Sequence, residues 1–235
     1  MTQITKNLET LRARISQATA AAGRNENEVS LLAVSKRHTP ESIALARDAG
    51  LNCMAENYLQ EALEKIALFG NDIEWHYIGR IQSNKSKAIA MNFQWAQTVH
   101  TMKIARRLND QHPQEMGALN VCVQVDTDHG KEHDKGNNKG HGGAEPGEVA
   151  ALCAFIEQQP RLRLRGLMCI PMPADSTERQ HEPFRALKEL YDQLINAGHD
   201  LDTLSMGMSN DLEVAIAEGS TMVRIGTALF GPRPS

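Results

Sequence analysis

Ser30-Leu31-Leu32-Ala33-Val34-Ser35-Lys36 is a short run of apolar, strand-forming residues that ends on a lysine. A parallel strand buried on both faces reads as a near-continuous hydrophobic stretch, so this segment is expected inside a parallel sheet with Lys36 at its end. A lysine in that position has two outcomes. It snorkels out to water along its own stem, or it stands at the floor of a site. There desolvation lowers its pKa until the neutral amine attacks carbonyls. Left in water, with a pKa near 10.4, it would be neutral in only about one molecule in a few thousand at pH 7.

The same kind of run recurs outward along the chain. Ile4, Leu8, Leu11 and Ile15 make one stripe of an opening helix over residues 3–22. Strand-like runs follow at 30–35, 53–55, 75–78, 95–99, 119–125, 164–170, 203–206 and 222–225. Helical patterns alternate with them at 40–49, 59–69, 84–91, 102–110, 147–159, 178–197 and 211–217, and a short turn at 227–230 closes the series. Thr39-Pro40-Glu41 supplies an N-cap and a first-turn proline, Ser209-Asn210-Asp211 offers capping side chains, and Gly50, Gly198 and Gly219 mark helix stops. Strands alternating with helices imply a parallel sheet with crossover helices. Eight such strands behind a leading helix indicate an α/β fold, a single (β/α)8 TIM barrel across residues 1–235 with an additional N-terminal helix. An open doubly wound sheet is the alternative, because strand number alone does not prove closure.

Composition narrows the partners. A chain of 235 residues suits one large domain, and 41% hydrophobic with 23% charged residues is ordinary globular chemistry. A net charge of −4 gives no reason to expect nucleic acid or an anionic membrane. Arg161, Arg163 and Arg165, interleaved with Leu162 and Leu164, read as the solvated side of a chain approaching a strand. Cys53, Cys122, Cys153 and Cys169 lack metal-type spacing and read as small buried hydrophobes of a reducing compartment, with no metal site expected. The polar N-terminus has no signal-type apolar core and no run is long enough to span a bilayer, so a cytoplasmic chain is expected. No unusually apolar stripe calls for a second copy, and a monomer is expected. Residues 127–146 break the rhythm. They are expected to form a flexible insertion rich in glycine, with His129, His133 and His141, whose imidazoles would need rigid support to hold a metal.

Barrel chemistry gathers at the C-terminal strand ends, with phosphate often held after the seventh and eighth strands. The seventh run leads into Ser205-Met206-Gly207-Met208-Ser209 and the eighth into Arg224-Ile225-Gly226-Thr227-Ala228. Glycines let the main chain approach an anion, and the hydroxyls of Ser205, Ser209 and Thr227 add donors. Such turns also occur simply as helix caps. Arg224 stands inside an otherwise apolar run, where a guanidinium needs either an internal ion-pair partner or a ligand atom to face.

Longer motifs carry a resemblance. They are Ala33-Val34-Ser35-Lys36, Glu56-Asn57-Tyr58-Leu59-Gln60-Glu61, His76-Tyr77-Ile78-Gly79-Arg80-Ile81-Gln82-Ser83-Asn84-Lys85 and Arg165-Gly166-Leu167-Met168. The closing motifs are Leu204 to Asp211 and Met222 to Gly231. Together they resemble the pyridoxal phosphate homeostasis proteins over nearly the whole chain. The resemblance implies a barrel like the N-terminal domain of fold-type III alanine racemases, holding pyridoxal 5′-phosphate (PLP) as a Schiff base on Lys36. It implies phosphate binding by Ser205, Ser209, Gly226 and Thr227, Arg224 facing the pyridine nitrogen, and Asn57, His76 and Asn84 lining the cofactor. The family's compact lysine- and glycine-bearing motif after the fifth strand is replaced here by the enlarged loop, so that role is assigned to neither Lys135 nor Lys139.

The reading that follows is an intracellular PLP carrier that buffers the cofactor or delivers it, by transient contact, to PLP-dependent apo-enzymes, with no strong catalysis. Racemases of this fold type close their site with an extra β-domain, for which no room is expected after the eighth unit. A PLP-dependent racemase or lyase completed by a partner, with His76 as one base, is the alternative. A Schiff-base aldolase would leave Arg224 unexplained.

Overall fold

A computed structural model describes residues 2–128, 142–174 and 176–232. His129, His133, His141, Lys135 and Lys139 therefore lie outside the described residues, as does the tail after residue 232. Eight strands, β1 (Ser30–Val34), β2 (Cys53–Glu56), β3 (Glu74–Tyr77), β4 (Trp95–Val99), β5 (Leu119–Gln124), β6 (Leu162–Met168), β7 (Thr203–Ser205) and β8 (Met222–Ile225), form one closed barrel in sequence order. Closure is made by parallel pairing of β1 with β8, with Ser30 opposite Met222 and Leu32 opposite Arg224.

Helices α1 (Gln3–Ala21), α2 (Pro40–Asp48), α3 (Leu59–Phe69), α4 (Ser86–Asn92), α5 (Met102–Gln111), α6 (Pro146–Glu157), α7 (Thr177–Asn196), α8 (Leu212–Ala217) and α9 (Thr227–Phe230) surround it. The expected stripe of α1 is buried, and this helix packs against α8, α9 and α2. Thr101 caps α5, its Oγ1 accepting the Ile104 N–H at 3.2 Å. Thr101→Ala should destabilise the protein by about 1 kcal/mol in urea unfolding, the usual value of such a cap.

Three local expectations change. Arg163 belongs to β6 itself, exposed between buried Leu162 and Leu164, so the leucine–arginine alternation is a strand rather than its approach. α4 starts at Ser86 and leaves Asn84 in the preceding turn. Asp211 does not cap α8 with its side chain. Its Oδ1 accepts the Met208 N–H instead, and Ser209 Oγ accepts the Ala228 N–H at 3.4 Å, tying the β7 loop to α9.

Strand alternation divides two cores. Trp75 and Tyr77 pack outward into the helical layer, whereas Leu32, Val34, Ala55 and Ile78 cluster separately inside the barrel. Trp95, Cys122 and Met168 form a second apolar patch inside. Buried polar groups run between these patches.

Candidate functional site

Lys36 follows β1 by two residues and continues the alternation of Leu32 and Val34, which places it on the inner side of the C-terminal rim, half-buried. Asn57 holds the equivalent place after β2, beyond Cys53 and Ala55, and its Oδ1 is buried with no hydrogen-bond partner. Ser209 stands on the loop after β7, and Gly226 and Thr227 where β8 passes into α9, at the same end of the barrel. Between them Gly207 has φ +94, and a Cβ there would meet Ala215 Cβ at 2.5 Å, so only glycine fits that bend. Asn84 is at this end too, exposed on the turn before α4.

His76, Ser205 and Arg224 lie inside the barrel rather than on its rim, all at most 3% exposed. Arg224 donates from Nη1 to the Ser205 carbonyl (2.6 Å) and Oγ (2.9 Å), and from Nη2 to the Cys169 carbonyl (2.7 Å). Ser205 Oγ donates to Gln97 Oε1 at 2.7 Å, and Gln97 Nε2 meets His76 Nδ1 at 2.9 Å. An amide nitrogen can only donate, so Nδ1 is the acceptor and the imidazole proton sits on Nε2, directed at Glu74 Oε1 3.0 Å away. Every link therefore points the same way, from a buried cation near the rim to a half-exposed carboxylate at the opposite mouth. Burial pushes the His76 pKa down and keeps it neutral, while the bond from His76 holds the Glu74 carboxyl below its ordinary range. The ring is stacked on Trp95 at 4.9 Å.

A second network fixes the main chain around Lys36. Lys65 Nζ donates to Glu56 Oε1 (2.7 Å), Glu61 Oε1 (2.6 Å) and the Ser35 carbonyl (2.8 Å). Ser35 Oγ donates to Glu56 Oε1 at 2.6 Å, and the Arg37 N–H donates to Glu61 Oε1 at 2.5 Å. Arg37 has φ +63, uncommon for a residue with a side chain, and its guanidinium lies 5.5 Å from the Tyr58 ring centroid. The residues on either side of Lys36 are thus anchored to one buried cluster. Burial raises the Glu56 pKa against the pull of Lys65.

Sequence reading missed Glu56, Lys65, Gln97 and Glu74 as working residues. Gln97 had a signal, being a polar residue in the apolar run 95–99. Lys65 had none, since a lysine one helical turn after Glu61 is ordinarily a solvated pair. The cysteine thiols are all pushed up to about 12, by burial first, and none is poised as a nucleophile. Cys122, Cys153 and Cys169 are buried as expected, but Cys53 is only half-buried and faces Glu74.

A barrel with a rim lysine, glycine-bearing loops after its last two strands and a buried arginine beneath them belongs to a defined class. Residues 6–234 match the alanine racemase N-terminal domain, and the chain belongs to that family. Within it, the chain is 47% identical over 234 residues to the pyridoxal phosphate homeostasis protein of Pseudomonas aeruginosa, covering 99% of this chain and 97% of the relative. It is 46% identical to the protein of the same name from Escherichia coli K12, covering 99% and 98%. PipY of Synechococcus elongatus PCC7942, solved with PLP bound, superposes with a TM-score of 0.80 at 30% identity, covering 97% of this chain and all of that one. The chain is a member of the pyridoxal phosphate homeostasis protein family.

Proposed function

We propose that this protein binds PLP through Lys36 and acts in PLP homeostasis in the cytoplasm, holding the cofactor and releasing it to apo-enzymes without strong catalysis of its own. One observation carries the reading. Arg224 is a fully buried guanidinium whose hydrogen-bond partners among the described residues are all neutral, directly below the rim that bears Lys36. A buried cation of that kind is stabilised by a ligand acceptor. The orphaned Asn57 Oδ1 points to the same conclusion, since a ligand donor would satisfy it.

When bound, PLP supplies an aldehyde for an amine, a phosphate for an anion site and a pyridine nitrogen for a polar partner. In this proposal Lys36 provides the amine, and Ser209, Gly226 and Thr227 hold the phosphate. Ser205 was expected among the phosphate ligands. Its hydroxyl is engaged by both Gln97 and Arg224, so its part is to orient the guanidinium. Arg224 only donates, so it would keep a facing ring nitrogen unprotonated and would weaken the electron withdrawal that amino-acid chemistry requires. His76 cannot serve as the base of a racemase from where it stands. Both ring nitrogens are occupied, by Gln97 and Glu74, inside the barrel. Domain organisation follows the same reading, one barrel with an enlarged loop at 127–146. Among the described residues no helix is long and apolar enough to cross a membrane. The working unit is a monomer.

The test is incubation of the wild-type chain with PLP, borohydride reduction and peptide mapping. The adduct is expected on the peptide containing Lys36, with a visible absorbance band before reduction and no sustained exchange of the alanine α-proton in heavy water. A colourless protein, or an adduct confined to other lysines, would overturn the reading.

A further inference from the structure

At the mouth opposite Lys36, the N-terminal ends of β2 and β3 bring three metal-type donors together. Cys53 and Glu74 are register partners across the two strands, and His76 lies one pleat further along β3. Cys53 Sγ is 3.6 Å from Glu74 Oε1, His76 Nε2 is 3.0 Å from the same oxygen, and the three donor atoms lie within 4.8 Å of one another. We propose that Cys53, Glu74 and His76 form a binding site for a divalent cation of the zinc class.

Dimensions favour that class. Zinc bonds of ~2.3 Å to sulfur, ~2.0–2.1 Å to nitrogen and ~2.0–2.2 Å to oxygen set tetrahedral ligand–ligand edges of roughly 3.3–3.6 Å. The observed 3.6 Å and 3.0 Å separations need only small side-chain adjustments to match. One sulfur, one imidazole nitrogen and one carboxylate oxygen suit a borderline cation, whereas calcium and magnesium take mostly oxygen donors. The Glu74 side chain is 43% exposed, which leaves a route for the ion and a fourth position for water. Gln97 backs the imidazole at Nδ1 and Trp95 stacks on it, the kind of outer support that orients a ligating histidine. Arg165 lies 4.6 Å from the Trp95 ring centroid, but its charge is met by Asp202 at 2.6–3.0 Å.

Binding has a definite proton balance. The Cys53 thiol gives its proton to bulk water and ligates as thiolate. His76 moves its proton from Nε2 to Nδ1, freeing the Nε2 lone pair for the ion. Nδ1–H then needs an acceptor, so the Gln97 amide turns to present Oε1, and its Nε2 faces Ser205 Oγ. The ion thereby reverses the hydrogen bond next to Arg224, at the far end of the same chain of groups.

The experiment uses the full chain without cofactor and Co2+ as the spectroscopic stand-in for zinc. Expected are one equivalent of Co2+, an intense sulfur-to-cobalt charge-transfer band, and its loss on adding Zn2+. Cys53→Ser should abolish the band, Glu74→Gln should weaken binding at least ~10-fold, and Cys153→Ala should leave both intact. Co2+ bound without a charge-transfer band, as it would be on His129, His133 and His141, or a band that survives in Cys53→Ser, would overturn the proposal.

Discussion

Lys65→Met is expected to destabilise the protein by about 3–5 kcal/mol, the range for stranding one member of a buried ion pair. Lys65 is 3% exposed and Glu56 is fully buried, so the methionine leaves a desolvated carboxylate held only by the Ser35 hydroxyl. Its second oxygen already lacks a partner. Glu56→Gln in the same background removes the stranded charge and should return a substantial part of the loss. The pH dependence has a definite sign. Burial raises the folded-state pKa of Glu56 above its ordinary value, and deleting Lys65 removes the strongest opposing pull. The folded variant therefore binds more protons than the unfolded chain across that window. This group's contribution is fully present below its unfolded pKa of about 4.5 and is lost as pH rises through the folded value. The penalty of Lys65→Met should accordingly shrink between pH 7 and pH 5, by up to ~1.4 kcal/mol per pH unit. Urea unfolding of wild type, Lys65→Met and the double variant at both pH values checks it. A loss below 1 kcal/mol would show the pair to be dispensable. Because Ser35 and Arg37 are anchored by the same cluster, the yield of borohydride adduct at Lys36 should fall with stability.

Gly166→Ala is expected to be worse, at more than ~4 kcal/mol and in the range that prevents folding at 37 °C. A Cβ at this position would stand 1.7 Å from the Thr203 carbonyl oxygen and 2.7 Å from its carbon. Both are main-chain atoms of β7, so no rotamer change relieves the overlap. Residue 166 also follows the register shift between β5 and β6, where the pairing passes from Val121–Leu164 to Cys122–Gly166 and skips Arg165. Separating β6 from β7 there would displace Ser205 and Cys169, the acceptors that hold Arg224. Gly147→Ala is the control, with open space around its Cβ near the start of α6, and should be neutral or slightly stabilising. Soluble yield and thermal midpoint of the two variants distinguish backbone crowding from a general intolerance of the extra methyl.

Lys36 and Arg224 were legible one at a time because a charge inside or at the end of an apolar run is an expensive exception that needs a reason. The strands were legible because burial on both faces leaves continuous hydrophobic runs. Pairing across strands was not legible. Glu56 and Lys65 belong to a strand and the helix after it, and Cys53 and Glu74 become neighbours only through the β2–β3 register. Ser205 shows the limit most clearly. A serine before a glycine turn looks like an anion ligand, yet its hydroxyl points into the barrel because β7 pairs in the register that sets it against Gln97 and Arg224.

From the chain alone came the alternation of strands and helices, the rim lysine, the interior arginine and the family likeness, all of which depend on residues near one another in sequence or on their order. Only the tertiary structure decided that β1 closes onto β8, that His76 turns toward the opposite mouth, and that one directed line of hydrogen bonds joins Glu74 to Arg224. Those features depend on inter-strand register, and a displacement of one residue would turn every side chain of a strand to the other face of the barrel.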